Sequence, residues 1–314
     1  MDLAIGPMSA SPAISVLMLS HNHVRFTDEV MQSVLAQRWS DWEMVVVDNQ
    51  SADGSWELIQ QCARNEPRIN PIRPDQRLSI AGALNLGVRH ARGRYIAPID
   101  SDDTWLPQRL ERQMGFMEGA GNPDVGVCGS NCLLINAEGH AFATKDYPQS
   151  HAGCVRAFWY RNPICHSAAL IRKECFERLG AYEEAFDLAQ DLALWFRLGQ
   201  RYRLANLPEY LTRVRIWGAN ATLRRHREII AVTLRARRRA LSQYGYHAGL
   251  AGQVAMAATW LMQWLPARLV RQVFNHLFLP GCTFLWRDVE VVERQARPGP
   301  AGKSAPRANT VPHS

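Results

Sequence analysis

"IAPIDSDDTW", residues 96–105, is the stretch whose reading decides the fold. An apolar run ends on Asp100, Asp102 and Asp103, with only Ser101 among them. Like charges this close repel, and a fold gains nothing from the crowding alone. The run has the length and composition of a buried strand, and the same form recurs upstream. "ISVLML" (14–19) and "EMVVVD" (43–48) are also short, apolar and followed or closed by polar residues.

Helical patterns separate these runs. "TDEVMQSVLAQ" (27–37) places Thr27 as an N-cap, acids in the first turn, and Val30, Val34 and Leu35 on one face. "SWELIQQCA" reads as a second helix and "INPIR" as a short third strand. "IAGALNLGVRHA" is helical with Leu84, Val88 and Ala91 in register, and "RYIAPI" is the fourth strand. Strand, helix, strand, helix implies parallel strands joined by right-handed crossovers. Ligands in such sheets bind beyond the carboxyl ends of the strands. Three polar clusters fall there: "SHN" (20–22), "DNQSADGS" (48–55) and "DSDD" (100–103). No strand-to-helix turn carries GxGxxG or GxxxxGK[ST], so dinucleotide and P-loop readings find no support. Arg77, Arg92 and Arg94 are expected to bring positive charge to the same edge.

Further on, "VGVCGSNCLLIN" with "AEGH" reads as strands and a turn. "SAALIRKECFERLGAY" reads as a strand, a short helix and a glycine stop. "AQDLALWFRLGQ" opens a helix near Asp191, with Leu194 and Leu198 on one face. From residue 226 the chain turns basic and helical to about residue 290, and 291–314 is a Pro-, Gly- and Ser-rich tail expected to be disordered. Residues 11–225 then form the main domain and 226–290 a helical extension.

The 314 residues are 47% hydrophobic and 21% charged, ordinary for a soluble globular protein. A net charge of +7 suits an anionic ligand or surface but names neither. Seven cysteines without a CxxC pair read as reduced thiols of a cytoplasmic protein, not as a zinc site. The first twenty residues lack a signal-peptide pattern. The apolar stretch 248–270 is interrupted by Gln253, Gln263 and Pro266, so it reads as a core or interfacial helix.

Hard divalent cations take oxygen ligands and bridge carboxylates to phosphates, which would relieve the crowding of the acidic loop. Without other motifs, a solvated turn that caps the next helix is the plainer reading of the loop. Asp48 alone reads as either a ligand for a ribose or base or as an Asx-turn.

Together the motifs are more specific. "ISVLMLSHN", "LAQRWSDWEMVVVDNQSADGS", "AGALNLGVRHARGRYIAPIDSDDTWLPQRL" and "GAYEEAFDLAQDLALWFRL" resemble, in order and spacing, the family 2 glycosyltransferases. The resemblance spans residues 14–215. It implies an α/β, Rossmann-like GT-A domain with a central, mostly parallel sheet, followed here by the helical extension. It also implies transfer of a sugar from a nucleotide sugar to an acceptor hydroxyl with inversion. On that resemblance Ser20, His21 and Asp48 fall at the nucleotide. Asp100 and Asp102 match the DXD motif and would hold Mn2+ or Mg2+, Asp102 foremost. Asp191 matches the general base, and His166 falls near the acceptor, where a buried polar bridge is the equal alternative.

Four departures from the family pattern stand out. Asn49 and Gln50-Ser51 replace Asp and Gly-Ser, Leu84 replaces Arg, Gln190 replaces Glu, and Leu19-Ser20-His21-Asn22 replaces "PTYN". The carboxylates stay while the nucleotide-facing positions drift, which implies an altered donor preference. Trp105, Trp159, Tyr160 and Trp217 offer faces for sugars, with core packing as the alternative. The resemblance implies a glycan or lipid-linked acceptor. "RRHR" (224–227) and "RARRR" (235–239), followed by a Trp-rich helix, suit peripheral contact with the inner face of a membrane. No recognition motif for nucleic acid accompanies the charge. A non-catalytic nucleotide-sugar sensor and a membrane adaptor are the rival classes.

Overall fold

The computed structural model describes residues 11–217 and 225–264. The chain opens with β1 (Ile14–Ser20), α1 (Val24–Leu35), β2 (Trp42–Asp48), α2 (Ser55–Asn65), β3 (Ile69–Ile72), α3 (Ile80–His90) and β4 (Tyr95–Asp100). Then come β5 (Thr104–Trp105), α4 (Arg109–Met117), β6 (Val125–Ile135), β7 (Ala141–Lys145) and α5 (His151–Ala157). A 3-10 turn (His166–Ala168) leads to β8 (Leu170–Arg172) and α6 (Lys173–Leu179). A second one (Glu184–Phe186) precedes α7 (Gln190–Leu198), β9 (Arg203–Arg215), α8 (His226–Gln243) and α9 (Leu250–Met262).

The strands form one sheet in the order β3-β2-β1-β4-β8-β6-β9-β5, with β7 paired to β6. β3, β2, β1 and β4 are parallel neighbours, and the long β6–β9 ladder is parallel too. The antiparallel pairs, such as β4–β8, are short. β1 and β2 carry fully buried apolar runs because helices cover both faces of the sheet. The register sets Ser20 beside Asp48, and Leu19 beside Asp100, so three strand ends share one edge.

Two local expectations are corrected. Thr27 does not cap α1. The helix starts one turn earlier with His23 as N-cap, so Asp28 and Glu29 lie beyond the first turn. Phe26 must be helical to reach the core, and Thr27 Oγ1 instead donates to the His23 carbonyl at 2.9 Å. β9 went unread in the sequence because Pro208 interrupts its pattern. The ladder slips there: Leu207 faces Ser130 and Tyr210 faces Asn131, which leaves Pro208 and Glu209 unpaired in a bulge.

The six described cysteines are free thiols, four of them buried. No described helix is long and apolar enough to cross a membrane. The expected residues 265–290 of the extension, the tail 291–314 and Cys282 lie outside the described residues. The described helices α8 and α9 are not separate from the domain. Ala240 of α8 joins the main core, and Gly252 of α9 lies against the Trp159 ring.

Gly93, in the turn before β4, permits the close approach of the α3–β4 connection to β1. A Cβ there would lie 2.4 Å from the Ser15 nitrogen, a backbone atom that cannot swing away. Gly93→Ala is therefore expected to cost about 1–3 kcal/mol. Urea denaturation should show a lower midpoint at unchanged slope.

Candidate active site

The carboxyl edge of the sheet gathers the polar clusters. Asp48 is fully buried. Its Oδ2 accepts from the Ser51 amide at 3.1 Å and pairs with Arg73 at 3.5 Å. Its Oδ1 and the neighbouring Ser20 Oγ are enclosed without a protein partner. Arg73 is the cation paired with Asp48, and sequence reading missed it, whereas Arg77, expected at this edge, does act on His21. Arg92 and Arg94, expected here, sit at the opposite edge instead. Arg92 pairs with Glu43 at the start of β2, and Arg94 with Glu118. They precede β4, so the strand's length carries them away from its carboxyl end.

His21 donates from Nδ1 to the Asn49 carbonyl at 2.9 Å, which leaves Nε2 to accept from the Asn22 amide at 3.3 Å. Burial, then the nearby Arg77 charge, lowers its pKa and keeps the ring neutral. Asn49 is committed to structure. Its amide clasps the Leu78 backbone, donating to the carbonyl at 3.0 Å and accepting from the nitrogen at 2.9 Å. Gln50 has a φ of +64°, a conformation that favours glycine, and its side chain is tied to the Pro74 carbonyl.

The acidic loop divides by role. Asp103 is 3% exposed, and its Oδ1 accepts from the Arg215 amide at 2.8 Å. Burial, then the Asp102 charge, pushes its pKa well up. Asp102 is buried, with Oδ2 accepting from Trp217 Nε1 at 2.9 Å. Burial, then the charge of Asp100, raises it also. Asp100 differs, because its side chain is 55% exposed to the open cleft. Protein surrounds it closely enough that loss of hydration works to raise its pKa. The hydrogen bond and charge of His166 overcome that and hold it low.

His166 is buried and bridges two groups. Nδ1 meets Asp100 Oδ1 at 3.3 Å, and Nε2 meets the Tyr182 hydroxyl at 3.0 Å. Burial opposes its positive charge, but the Asp100 hydrogen bond prevails and raises its pKa. Tyr182 is pinned in turn by Asn85 of α3, which donates to its carbonyl at 2.8 Å and accepts from its nitrogen at 2.9 Å.

Asp191 opens α7. Its Oδ2 accepts from Asn162 Nδ2 at 2.6 Å and its Oδ1 from the Leu192 amide at 2.7 Å. Burial raises its pKa, while the His166 charge works against the rise and Asp100 adds to it. Asp191 thus lies within the electrostatic reach of the His166–Asp100 pair. Asn162 and Tyr182 carried no sequence signal, since only the fold brings them to the carboxylates.

The profile of glycosyl transferase family 2 matches residues 15–180. The chain belongs to that family. This glycosyltransferase is 30% identical over 212 residues to the glycosyltransferase EpsE of Bacillus subtilis, covering 66% of this chain and 74% of EpsE. It is 28% identical to the O-antigen biosynthesis glycosyltransferase WbnJ of Escherichia coli, covering 65% of this chain and 79% of WbnJ. Its fold is GT-A. The mannosyltransferase PcManGT of Pyrobaculum calidifontis, solved with GDP-Man and Mn2+, superposes with TM-score 0.58 at 17% identity. That match covers 92% of this chain and 81% of PcManGT. S. aureus TarS 1–349 with UDP-GlcNAc gives TM-score 0.54 at 15% identity, covering 90% and 92%.

Two of the aromatics take the core-packing alternative. Trp105 is buried, with its Nε1 donating to the Ser167 carbonyl at 2.9 Å and its ring under Arg109. Trp159 is buried in the core against Phe196. Neither presents a face to a sugar, because the adjoining helices cover both. Trp217 is an orienting donor for Asp102, and Tyr160 lines a cavity beside Asp191.

Asp103 tests the division of the acidic loop. Its raised pKa means that the fold holds this proton more tightly than the unfolded chain does. Stability is therefore lost as pH rises from the ordinary carboxylate value through the raised one. Asp103→Asn keeps the Oδ1 acceptor and removes the charge. We expect it to raise the melting temperature, more at pH 8 than at pH 5; a fall at pH 8 would show that the carboxylate itself is needed.

Proposed function

We propose that this enzyme moves a sugar from a nucleoside-diphosphate sugar to an acceptor hydroxyl with inversion, and that Asp191 is the general base. The observation that carries the reading is the placement of Asp191 beside the Asp100–His166 pair at the strand ends, with its pKa raised. A carboxylate made more basic by burial is suited to take a proton from a hydroxyl as that oxygen attacks. Asn162 and the Leu192 amide hold its two oxygens, so the group that receives the proton is already oriented. Attack on the face opposite the leaving group inverts the anomeric centre in a single displacement.

Ser20, His21 and Asp48 would take the nucleoside end of the donor. The two enclosed oxygens without partners, Ser20 Oγ and Asp48 Oδ1, support that assignment. Engagement of Asp48 requires Arg73 to shift, since it pairs with the carboxylate.

Asp100 and Asp102 fit a divalent cation. They offer oxygen ligands, and Asp102 is raised partly by the charge of Asp100, which a cation would relieve. Among the described residues no three His, Cys, Asp or Glu side chains cluster to hold a metal by themselves. That suits an ion completed by the donor diphosphate. Bound there, Mn2+ or Mg2+ would neutralise charge on the leaving nucleoside diphosphate. PcManGT, solved with GDP-Man and Mn2+, supports this assignment by analogy of fold.

The acceptor would be a glycan or a lipid-linked glycan, in polysaccharide assembly on the cytoplasmic side, as the O-antigen role named for WbnJ suggests. In this reading residues 11–225 carry the strand-end site and 226–290 form an extension whose described helices pack on it. The expected basic stripe of α8 is only partly available to a membrane. Arg235 bonds the Ala185 carbonyl, Arg237 is buried, and Arg239 pairs with Glu183. The exposed apolar residues of α9, Leu250, Val254, Trp260 and Leu261, with Trp264 beyond it, support peripheral contact instead.

Asp191→Asn is expected to lower kcat by about 10²-fold or more. Metal-dependent donor binding, followed by calorimetry, should be unchanged. A kcat/KM profile should fall on the acid side with a pKa above the ordinary carboxylate value. Retained turnover in Asp191→Asn would remove Asp191 as the base, and metal-dependent donor binding without turnover in the wild type would instead favour the non-catalytic sensor. For the membrane contact, Trp260→Ser with Trp264→Ser should release the protein from anionic vesicles in flotation while turnover of a soluble acceptor persists.

A further inference from the structure

A cavity of about 270 Å³ lies between α7 and the α8–α9 pair, with Asp191 in its wall. Ile230 and Met262 give it apolar surface, and Lys145, Arg161 and Arg237 give it three cations. Among the described residues, Asp191 is the only carboxylate in that lining. Arg161 bonds the Asp146 carbonyl at 2.9 Å.

Arg237 is the unusual member. It is 3% exposed, and burial pulls its guanidinium down to about 10, still charged at neutral pH. Nε donates to the Phe158 carbonyl at 2.9 Å and Nη1 to Thr259 Oγ1 at 3.3 Å. Among the described residues Nη2 has no hydrogen bond, and no carboxylate lies within ion-pairing distance. Lys145 likewise pairs with no described carboxylate, and its ammonium lies 5.1 Å over the Tyr147 ring. A buried cation without a counterion is costly, and an apolar residue would pack the same helix interface more favourably. Arg109 is the contrast. It is also buried, but it is fully enclosed, with its guanidinium 3.7 Å above the Trp105 ring. Arg237 faces a space that a ligand can enter.

We propose that this cavity is an acceptor pocket that takes an oxyanion, a phosphate or a sugar carboxylate, on Arg237 and Lys145. The proposal rests on the reading of Asp191 as the base, since the pocket shares that residue. The acceptor hydroxyl would then lie at Asp191 while the anionic group anchors it deeper, beneath the C-terminal helices.

The test is a thermal-shift titration of the full chain with sodium phosphate, sodium glucuronate and sodium chloride at matched ionic strength. EDTA is present in these oxyanion titrations, so that the donor site holds no cation, and is left out of the separate nucleotide titrations with Mn2+. Phosphate or glucuronate should raise the melting temperature by mass action, and chloride should not. The stronger of the two assigns the oxyanion as phosphate or carboxylate. Arg237→Gln and Lys145→Gln should each weaken the apparent Kd at least tenfold, and both should keep the response to nucleoside diphosphate with Mn2+. Should Arg237→Gln fail to fold, Lys145→Gln decides. Asp102→Ala should lose the nucleotide response and keep the oxyanion one. No oxyanion shift in the wild type, or an equal shift in Lys145→Gln, overturns the pocket. Loss of the nucleotide response alone would count against the transferase reading and leave the pocket standing.

Discussion

Arg215 holds the acidic loop together. Its side chain is fully buried, its amide donates to Asp103, and its Nε donates to the Asp102 carbonyl. Nη1 reaches the carbonyls of Asn136 and Ala137, and Nη2 pairs with Glu29 of α1 at 2.6 Å. One cation thus ties the loop to β9, to the β6–β7 turn and to α1. Repulsion among Asp100, Asp102 and Asp103 would otherwise open the loop. Arg215 holds the loop closed through its backbone amide and Nε and leaves Asp100 facing the cleft.

The opposite wall is built by a relay of hydrogen bonds. Asn85 fixes the backbone of Tyr182, Tyr182 meets His166, and His166 meets Asp100. The charge of Asp100 raises the imidazole, and the imidazole in turn holds Asp100 low. Asp191 sits beyond this pair and is tuned by both. Asp100 and Asp191 therefore share one electrostatic environment, although they lie far apart in the chain. Leu84, where the family has arginine, points into the core, while the adjacent Asn85 performs the clamp on Tyr182.

The C-terminal helices cover α7. Arg239 and Arg197 converge on Glu183, next to Tyr182. Tyr246 donates to the Phe196 carbonyl at 3.0 Å and packs on Phe158 and Phe196. These contacts anchor α8 and the segment after it to α7, the helix that carries Asp191. A basic helix that looks solvated in sequence is in this way a fitted cover.

The sequence by itself determined the strand–helix alternation, the strand ends and the carboxylates on them. Buried parallel strands need unbroken apolar runs, and a polar residue that closes such a run has one place to go. It also determined the family, because several motifs keep their order and spacing. Tertiary structure alone decided which cations serve the site. Arg92 and Arg94 look close to the acidic loop in sequence but flank the wrong end of β4, while Arg73, Arg215 and Arg237 arrive from elsewhere. It decided that Trp105 and Trp159 are covered and that Trp217 serves Asp102. It also decided that Asp103 is structural while Asp100 is open. Burial and pairing across the sheet set these outcomes, and both depend on neighbours that local pattern does not encode.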